Sequence, residues 1–117
     1  MKKRILSVSY DEVLLLTRQM LLEKEGFEVW SAHGFVEAME LCRAHDDFDL
    51  VVMGHSMPQK DKTALVRALR SKCNAPLVTI RKAGESPMAG ADCSVEAYEG
   101  PKVFLDAVKK VLGVKPE

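Results

Sequence analysis

Residues 48–58 read FDLVVMGHSMP, and within them Leu50–Met53 form the most continuous strand-like apolar run of the chain. A strand that is apolar on both faces is typical of the centre of a parallel sheet that helices cover on both sides. Pro58 interrupts the pattern shortly afterwards. The stretch therefore predicts a buried central strand whose carboxyl end opens into a loop at Gly54.

Alternating strands and helices surround this central strand. Short apolar or alternating runs predict strands at 5–8, 27–31, 77–80 and 93–95, and apolar residues at helical spacing predict helices at 11–24, 34–44, 61–72 and 100–112. The order of β–α units predicts an α/β protein with a doubly wound, five-stranded parallel sheet.

Three local features complete this prediction. In the first helix, the apolar stripe that we expect to face the core consists of Val13, Leu14, Thr17, Met20 and Leu21. Asp61 is the predicted N-cap of the third helix. Residues 82–91, KAGESPMAGA, are small and polar and contain Pro87, so we expect a loop or a single turn there.

Length, composition and charge exclude several classes of protein. The 117 residues predict one domain, 1–117, with 17 basic and 17 acidic side chains. This balance argues against nucleic acid as the main partner and against a polybasic membrane anchor. No apolar run approaches the length of a spanning helix, and acids at Asp11 and Glu12 cut short a segment that begins like a signal peptide. We therefore expect a cytoplasmic protein without membrane contact.

The order and spacing of several stretches resemble the receiver domain of bacterial two-component response regulators. These stretches are RILSVSYDE, LLEKEGFEVWSAHG, FDLVVMGHSMP and AGAD, within residues 3–112. The resemblance implies a flavodoxin-like, CheY-like sheet with strand order 2-1-3-4-5. Because residues 82–91 are too few and too polar for a normal helix, the fourth helix is expected to be shortened or missing.

The resemblance also implies where a phosphorylation pocket would lie, at the carboxyl ends of the strands. A working receiver has two acids after the first strand, an aspartate after the third, a hydroxyl residue after the fourth and a lysine after the fifth. The acids and the aspartate hold Mg²⁺, and the aspartate accepts the phosphoryl group. The corresponding positions in this sequence are Ser9 and Tyr10, Gly54, Arg81, and Ala97, so every one of them is changed.

These changes predict a degenerate receiver that has lost metal-dependent phosphorylation. We expect no catalytic activity, no metal and no cofactor, and we expect a protein partner such as a histidine kinase, another regulator or a second copy. Asp11, His55 and Ser56 are candidate ligand contacts at the same edge of the sheet.

Two alternatives remain open at this stage. In the first, the domain senses a small molecule or an anion through a strand-edge pocket around Arg81. In the second, phosphorelay activity persists at a non-standard residue, His55 or Ser56. The histidines and cysteines lack the paired spacing of structural zinc sites.

Overall fold

The computed structural model of the chain describes residues 2–45, 47–55, 57–72, 75–82, 84 and 90–114. Its strands are β1 (Arg4–Ser9), β2 (Glu28–His33), β3 (Leu50–Met53), β4 (Leu77–Arg81) and β5 (Cys93–Glu96). Its helices are α1 (Glu12–Lys24), α2 (Phe35–Ala44), α3 (Gln59–Lys72) and α4 (Pro101–Leu112), with a 3₁₀ turn at Ala97–Glu99 between β5 and α4.

The five strands form one parallel sheet in the order β2-β1-β3-β4-β5, which confirms the predicted doubly wound topology. In the register of this sheet, Ser9 lies beside His33, and Arg81 lies beside Glu96. Because all strands run the same way, their carboxyl ends meet at one edge. Ser9, Gly54 and Arg81 therefore lie along the same edge of the sheet.

Two apolar layers sandwich the sheet, and β3 is buried along its whole length. On one side, Val51 and Met53 pack with residues of α2 and α3, and on the other, Leu50 and Val52 pack with residues of α1 and α4. The alternation of side chains along a strand explains why consecutive residues of β3 serve opposite layers. The apolar run that predicted a central strand is thus buried because helices cover both faces.

The connection from β4 to β5 contains no helix in its described residues, which are 82, 84 and 90–92. Ala83 and residues 85–89, which include Pro87, lie outside the described part. The described structure has four α-helices, as expected for a fold whose fourth helix is shortened or missing. None of these helices is long and apolar enough to cross a lipid bilayer.

The predicted inner face of α1 is wrong for three of its five residues. Leu14 and Leu21 are half-buried, but Val13, Thr17 and Met20 are exposed. The buried residues of this helix are Leu15, Arg18 and Leu22. Apolar residues occur all around the helix, so their spacing does not fix which face is inside. The true inner face contains a charged residue, and a pattern of apolar residues alone does not find it.

The predicted role of Asp61 as the N-cap of α3 is also wrong, because the helix already begins at Gln59. Asp61 lies in the first turn, and its backbone N–H donates to the carbonyl oxygen of Pro58 at 3.1 Å. Its carboxylate instead accepts a hydrogen bond from the loop after β1. A tertiary contact has therefore taken the place of the predicted cap.

Candidate functional site

The end of β1 leads directly into α1 through a short polar turn. Ser9 is buried, and its Oγ accepts a hydrogen bond from the Asp11 N–H at 3.1 Å. Asp11 is the N-cap of α1, where its Oδ1 accepts from the N–H groups of Val13 at 2.9 Å and Leu14 at 3.1 Å. The Asp11 carboxylate is thus used to satisfy the first amides of the helix.

Tyr10 connects this turn to α3. Its hydroxyl donates a hydrogen bond to Oδ2 of Asp61, 51 residues further along the chain. Burial raises the pKa of Tyr10 to about 12, and the hydrogen bond to Asp61 and the charge of that carboxylate act in the same direction. At the position that the resemblance assigns to the second acid of a working receiver, this chain therefore carries a neutral phenol, which connects the turn after β1 to α3.

The stability that Tyr10 contributes should be lost as the pH rises from 10 towards 12. An unfolded tyrosine ionises near its ordinary pKa of 10.0, whereas folded Tyr10 keeps its proton up to about 12. Above pH 10 the unfolded state therefore binds fewer protons than the folded state, and stability falls with pH. We expect the difference in unfolding free energy between the wild type and Tyr10→Phe to narrow as the pH rises from 10 towards about 12. If urea unfolding shows the same difference between the two proteins throughout this pH range, the raised pKa of Tyr10 is contradicted.

Gly54 follows β3 at the point where the resemblance implies an aspartate. Its N–H donates to the carbonyl oxygen of Val8 at 2.9 Å. A Cβ atom built on Gly54 would lie 2.8 Å from Nη1 of Arg18, 3.2 Å from Oγ of Ser9 and 3.3 Å from the carbonyl oxygen of Val8. Even a methyl group at position 54 would therefore force a neighbour to move.

Arg18 supplies the guanidinium above Gly54, and the sequence analysis did not identify it as a site residue. Its side chain comes from the inner face of α1, and the residue is only 7% exposed. Nη1 is buried without a hydrogen-bond partner among the described residues. Burial lowers the pKa of the guanidinium, and the nearby charge of Asp11 opposes that effect. The available signal in the sequence was the position of Arg18, three residues after Leu15 and four before Leu22.

Arg81 is the last residue of β4, and Ala97 is the first residue of the 3₁₀ turn after β5. Nη1 of Arg81 forms an ion pair with Oε1 of Glu96 at 2.9 Å across the neighbouring strands. Ala97 is exposed and begins the 3₁₀ turn, which Glu96 and Glu99 close with reciprocal side-chain to backbone hydrogen bonds. The cation predicted at this edge is thus paired with a carboxylate that the sequence analysis did not name.

His55 is half-buried in the turn after Gly54, and Ser56 lies outside the described residues. In the ranges that the structure describes, no three histidine, cysteine, aspartate or glutamate side chains come together as a metal site. The structure brings Ser9, Gly54 and Arg18 together at the centre of the edge. Tyr10 with Asp61 flanks this centre as a separate contact, and Arg81 forms its own pair with Glu96.

Sequence comparison finds transcriptional regulators among the relatives of the chain, although no protein-family model matches it. It is 31% identical to the transcriptional regulatory protein CpxR of Escherichia coli over 105 residues, which are 88% of this chain and 44% of CpxR. It is 26% identical to the cell cycle transcriptional regulator CtrA of Caulobacter vibrioides over 83% of this chain and 40% of CtrA. The chain thus spans less than half the length of these relatives.

Solved structures show the same fold. A CheY-like response regulator receiver domain from Methanospirillum hungatei superimposes with a TM-score of 0.82 at 24% identity, covering 97% of this chain and 95% of that one. A two-component response regulator from Clostridium difficile gives a TM-score of 0.84 at 19% identity, covering 96% and 97%. Element order, sheet topology and sequence similarity together identify the chain as a receiver domain of the two-component response-regulator type.

Proposed function

We propose that this receiver domain acts in two-component signalling as a phosphorylation-independent protein-interaction module and is not an enzyme. The observation that carries the proposal is the guanidinium of Arg18 above Gly54. Its Nη1 lies 2.8 Å from the position that a Cβ atom at residue 54 would take. A buried cation beside the position that the resemblance assigns to the phosphoacceptor supports the proposal.

The same residues do not fit a Mg²⁺ ion. Magnesium prefers oxygen ligands with at least one or two carboxylates, and the corresponding positions carry a serine, a tyrosine and a glycine. The nearest acid in the sequence, Asp11, accepts two hydrogen bonds at the start of α1. A buried guanidinium would also repel a divalent cation at this place. We therefore derive no phosphoryl transfer through a metal at this site.

The outer face of α1 supports a role in protein contact. Val13, Leu16 and Met20 are 74%, 57% and 63% exposed, and their spacing of three and four residues places them on one side of the helix. Apolar side chains grouped on a surface are typical of interaction sites. A kinase, another regulator or a second copy of the chain are the partners that we propose for a domain of this type.

The proposal predicts that small phosphodonors leave the protein unmodified. After incubation with acetyl phosphate or phosphoramidate and Mg²⁺, intact-mass spectrometry should show no added phosphoryl group. An active response regulator treated in parallel is the positive control. The variant Gly54→Asp should also stay unmodified, because Ser9 and Tyr10 still provide no carboxylate for a metal.

Stoichiometric phosphorylation of the wild type would contradict the proposal. Sensitivity of the product to hydroxylamine would then identify an acyl phosphate on an aspartate or glutamate. Loss of the product in the double variant His55→Ala, Ser56→Ala would instead identify a non-standard acceptor after β3.

A further inference from the structure

A cavity of about 140 Å³ lies between α1 and α4, next to the carboxyl edge of the sheet. It is partly open to solvent, and most of its wall is apolar. The apolar wall is formed by Leu14 and Leu21 from α1, Ile80 and Val95 from the sheet, and Phe104 from α4. A dry engineered cavity of about 150 Å³ accommodates benzene, so this space matches a small ring or a short branched chain.

One buried cation lines this apolar space. The Arg18 side chain forms part of the wall and is 7% exposed. Its Nη1 lies on the Gly54 side of the guanidinium, outside the cavity lining, and has no hydrogen-bond partner among the described residues. An arginine stays protonated at neutral pH, and a buried charge without a partner is costly. A ligand that brings an anionic group to this guanidinium would remove that cost.

The acidic groups near the cavity have partners other than the Arg18 guanidinium, so Arg18 is the group that we expect to bind an anion. Glu96 is the acidic residue in the wall, and its carboxylate is paired with Arg81 at 2.9 Å. Asp11 acts on Arg18 through its charge, but its carboxylate accepts two hydrogen bonds at the start of α1. Both acids thus have hydrogen-bonding or ionic partners of their own.

The amino end of α4 adds a second feature that favours an anion. Gly100 and Pro101 line the cavity, and Gly100 is the N-cap of this twelve-residue helix without a side-chain cap. The amino end of a helix carries a partial positive charge from its aligned peptide dipoles. This end and the Arg18 side chain border the same cavity.

We propose that the cavity between α1 and α4 binds a small organic carboxylate, with its carboxylate on Arg18 and its apolar part against the walls. The site differs from the predicted strand-edge pocket around Arg81, because Arg81 is already paired with Glu96. It also goes beyond the proposed interaction role. A phosphorylation assay reports on whether an acceptor and metal ligands are present around Gly54, whereas a ligand titration of the wild type reports on the cavity between α1 and α4, so each proposal can fail without the other.

Benzoate is the probe that tests both parts of the site, because it carries a ring and a carboxylate. Its binding is measured by amide NMR on the full chain. We expect saturable shifts at Leu21, Phe104 and their neighbours, with isobutyrate giving the same pattern. Benzamide has the ring without the charge, and acetate has the charge without the ring. Each should bind about tenfold more weakly than benzoate or worse, the size expected for a hydrogen-bonded charge or a buried apolar group.

Three variants separate the role of Arg18 from a general effect of charge. Arg18→Met should weaken benzoate binding about tenfold or more, and Arg67→Met, at an exposed arginine of α3, should leave it unchanged. Circular dichroism checks whether Arg18→Met is folded before its binding is interpreted, and Arg18→Lys tests whether a cation at this place restores part of the binding.

Three results would overturn the proposal. The first is an absence of saturable shifts with both benzoate and isobutyrate. The second is equal binding of acetate or benzamide, which would show that charge or apolar surface alone is sufficient. The third is unchanged benzoate binding in folded Arg18→Met.

Discussion

Replacing Arg18 with methionine should make the protein more stable, by about 1–3 kcal/mol in the absence of ligand. The wild type buries a guanidinium whose Nη1 has no hydrogen-bond partner among the described residues. Methionine follows a similar path from the helix and packs against apolar neighbours without the desolvation of a charge. Urea unfolding of the two proteins measures the difference.

The control is Arg67→Met, which removes the same charge from an exposed position of α3 and should change stability by less than about 0.5 kcal/mol. A clear loss of stability in Arg18→Met would show that the guanidinium contributes to the fold through contacts of its own. Such a loss would also argue against an energetic cost of burying Arg18, which is the cost that the proposed ligand would relieve. A gain would fit a group kept at the expense of stability, as binding groups often are.

Replacing Gly54 with alanine should destabilise the protein by about 1–3 kcal/mol. The new methyl group would lie 2.8 Å from Nη1 of Arg18, 3.2 Å from Oγ of Ser9 and 3.3 Å from the backbone oxygen of Val8. The Arg18 head is the far end of a flexible side chain, whereas the Val8 oxygen belongs to the backbone of β1 and has less freedom to move. Overpacking at a buried position of this kind is therefore expected to cost stability.

The double variant with Arg18→Met tests the cause of this loss. If the guanidinium is the main obstacle, the cost of Gly54→Ala should fall by about 0.5 kcal/mol or more when Arg18 is already replaced. If the free-energy changes of Gly54→Ala and Arg18→Met are additive, the new methyl group is obstructed by Val8 and Ser9 and not by the guanidinium. A neutral Gly54→Ala in the wild type would contradict the contact between residue 54 and Arg18.

The sheet was predictable because each strand carries its own apolar signal. The run Leu50–Met53 identified the centre, and the alternation of strands with helices fixed a doubly wound parallel order. That order placed Ser9, Gly54 and Arg81 at one edge before any side chain was positioned. Their location follows from topology alone, since parallel strands end together.

The inner face of α1 was not predictable in the same way. Leucines at positions 14, 15 and 16 cover successive sides of the helix, so apolar periodicity offers no unique stripe. A charged residue at position 18 normally indicates a solvated face, which is why the buried Arg18 was missed. Its burial depends on the close approach that Gly54 permits from the neighbouring strand end.

The side-chain pairs at the edge depend on tertiary structure. Tyr10 and Asp61 lie 51 residues apart, and nothing local links them. Arg81 and Glu96 are opposite each other only in the register of β4 with β5. A sequence that predicts the strands but not their register leaves this ion pair undetermined.

The most direct test of phosphorylation independence is an amide NMR titration with Mg²⁺ followed by beryllofluoride, which mimics a phosphoryl group on a carboxylate. With Arg18 above Gly54 and no carboxylate at Ser9 or Tyr10, we expect no saturable, Mg²⁺-dependent shifts at the amides of Ser9, Gly54 and Arg81. Saturable shifts clustered at these three amides, and present only with Mg²⁺, would contradict the proposed role and show a working phosphoryl site.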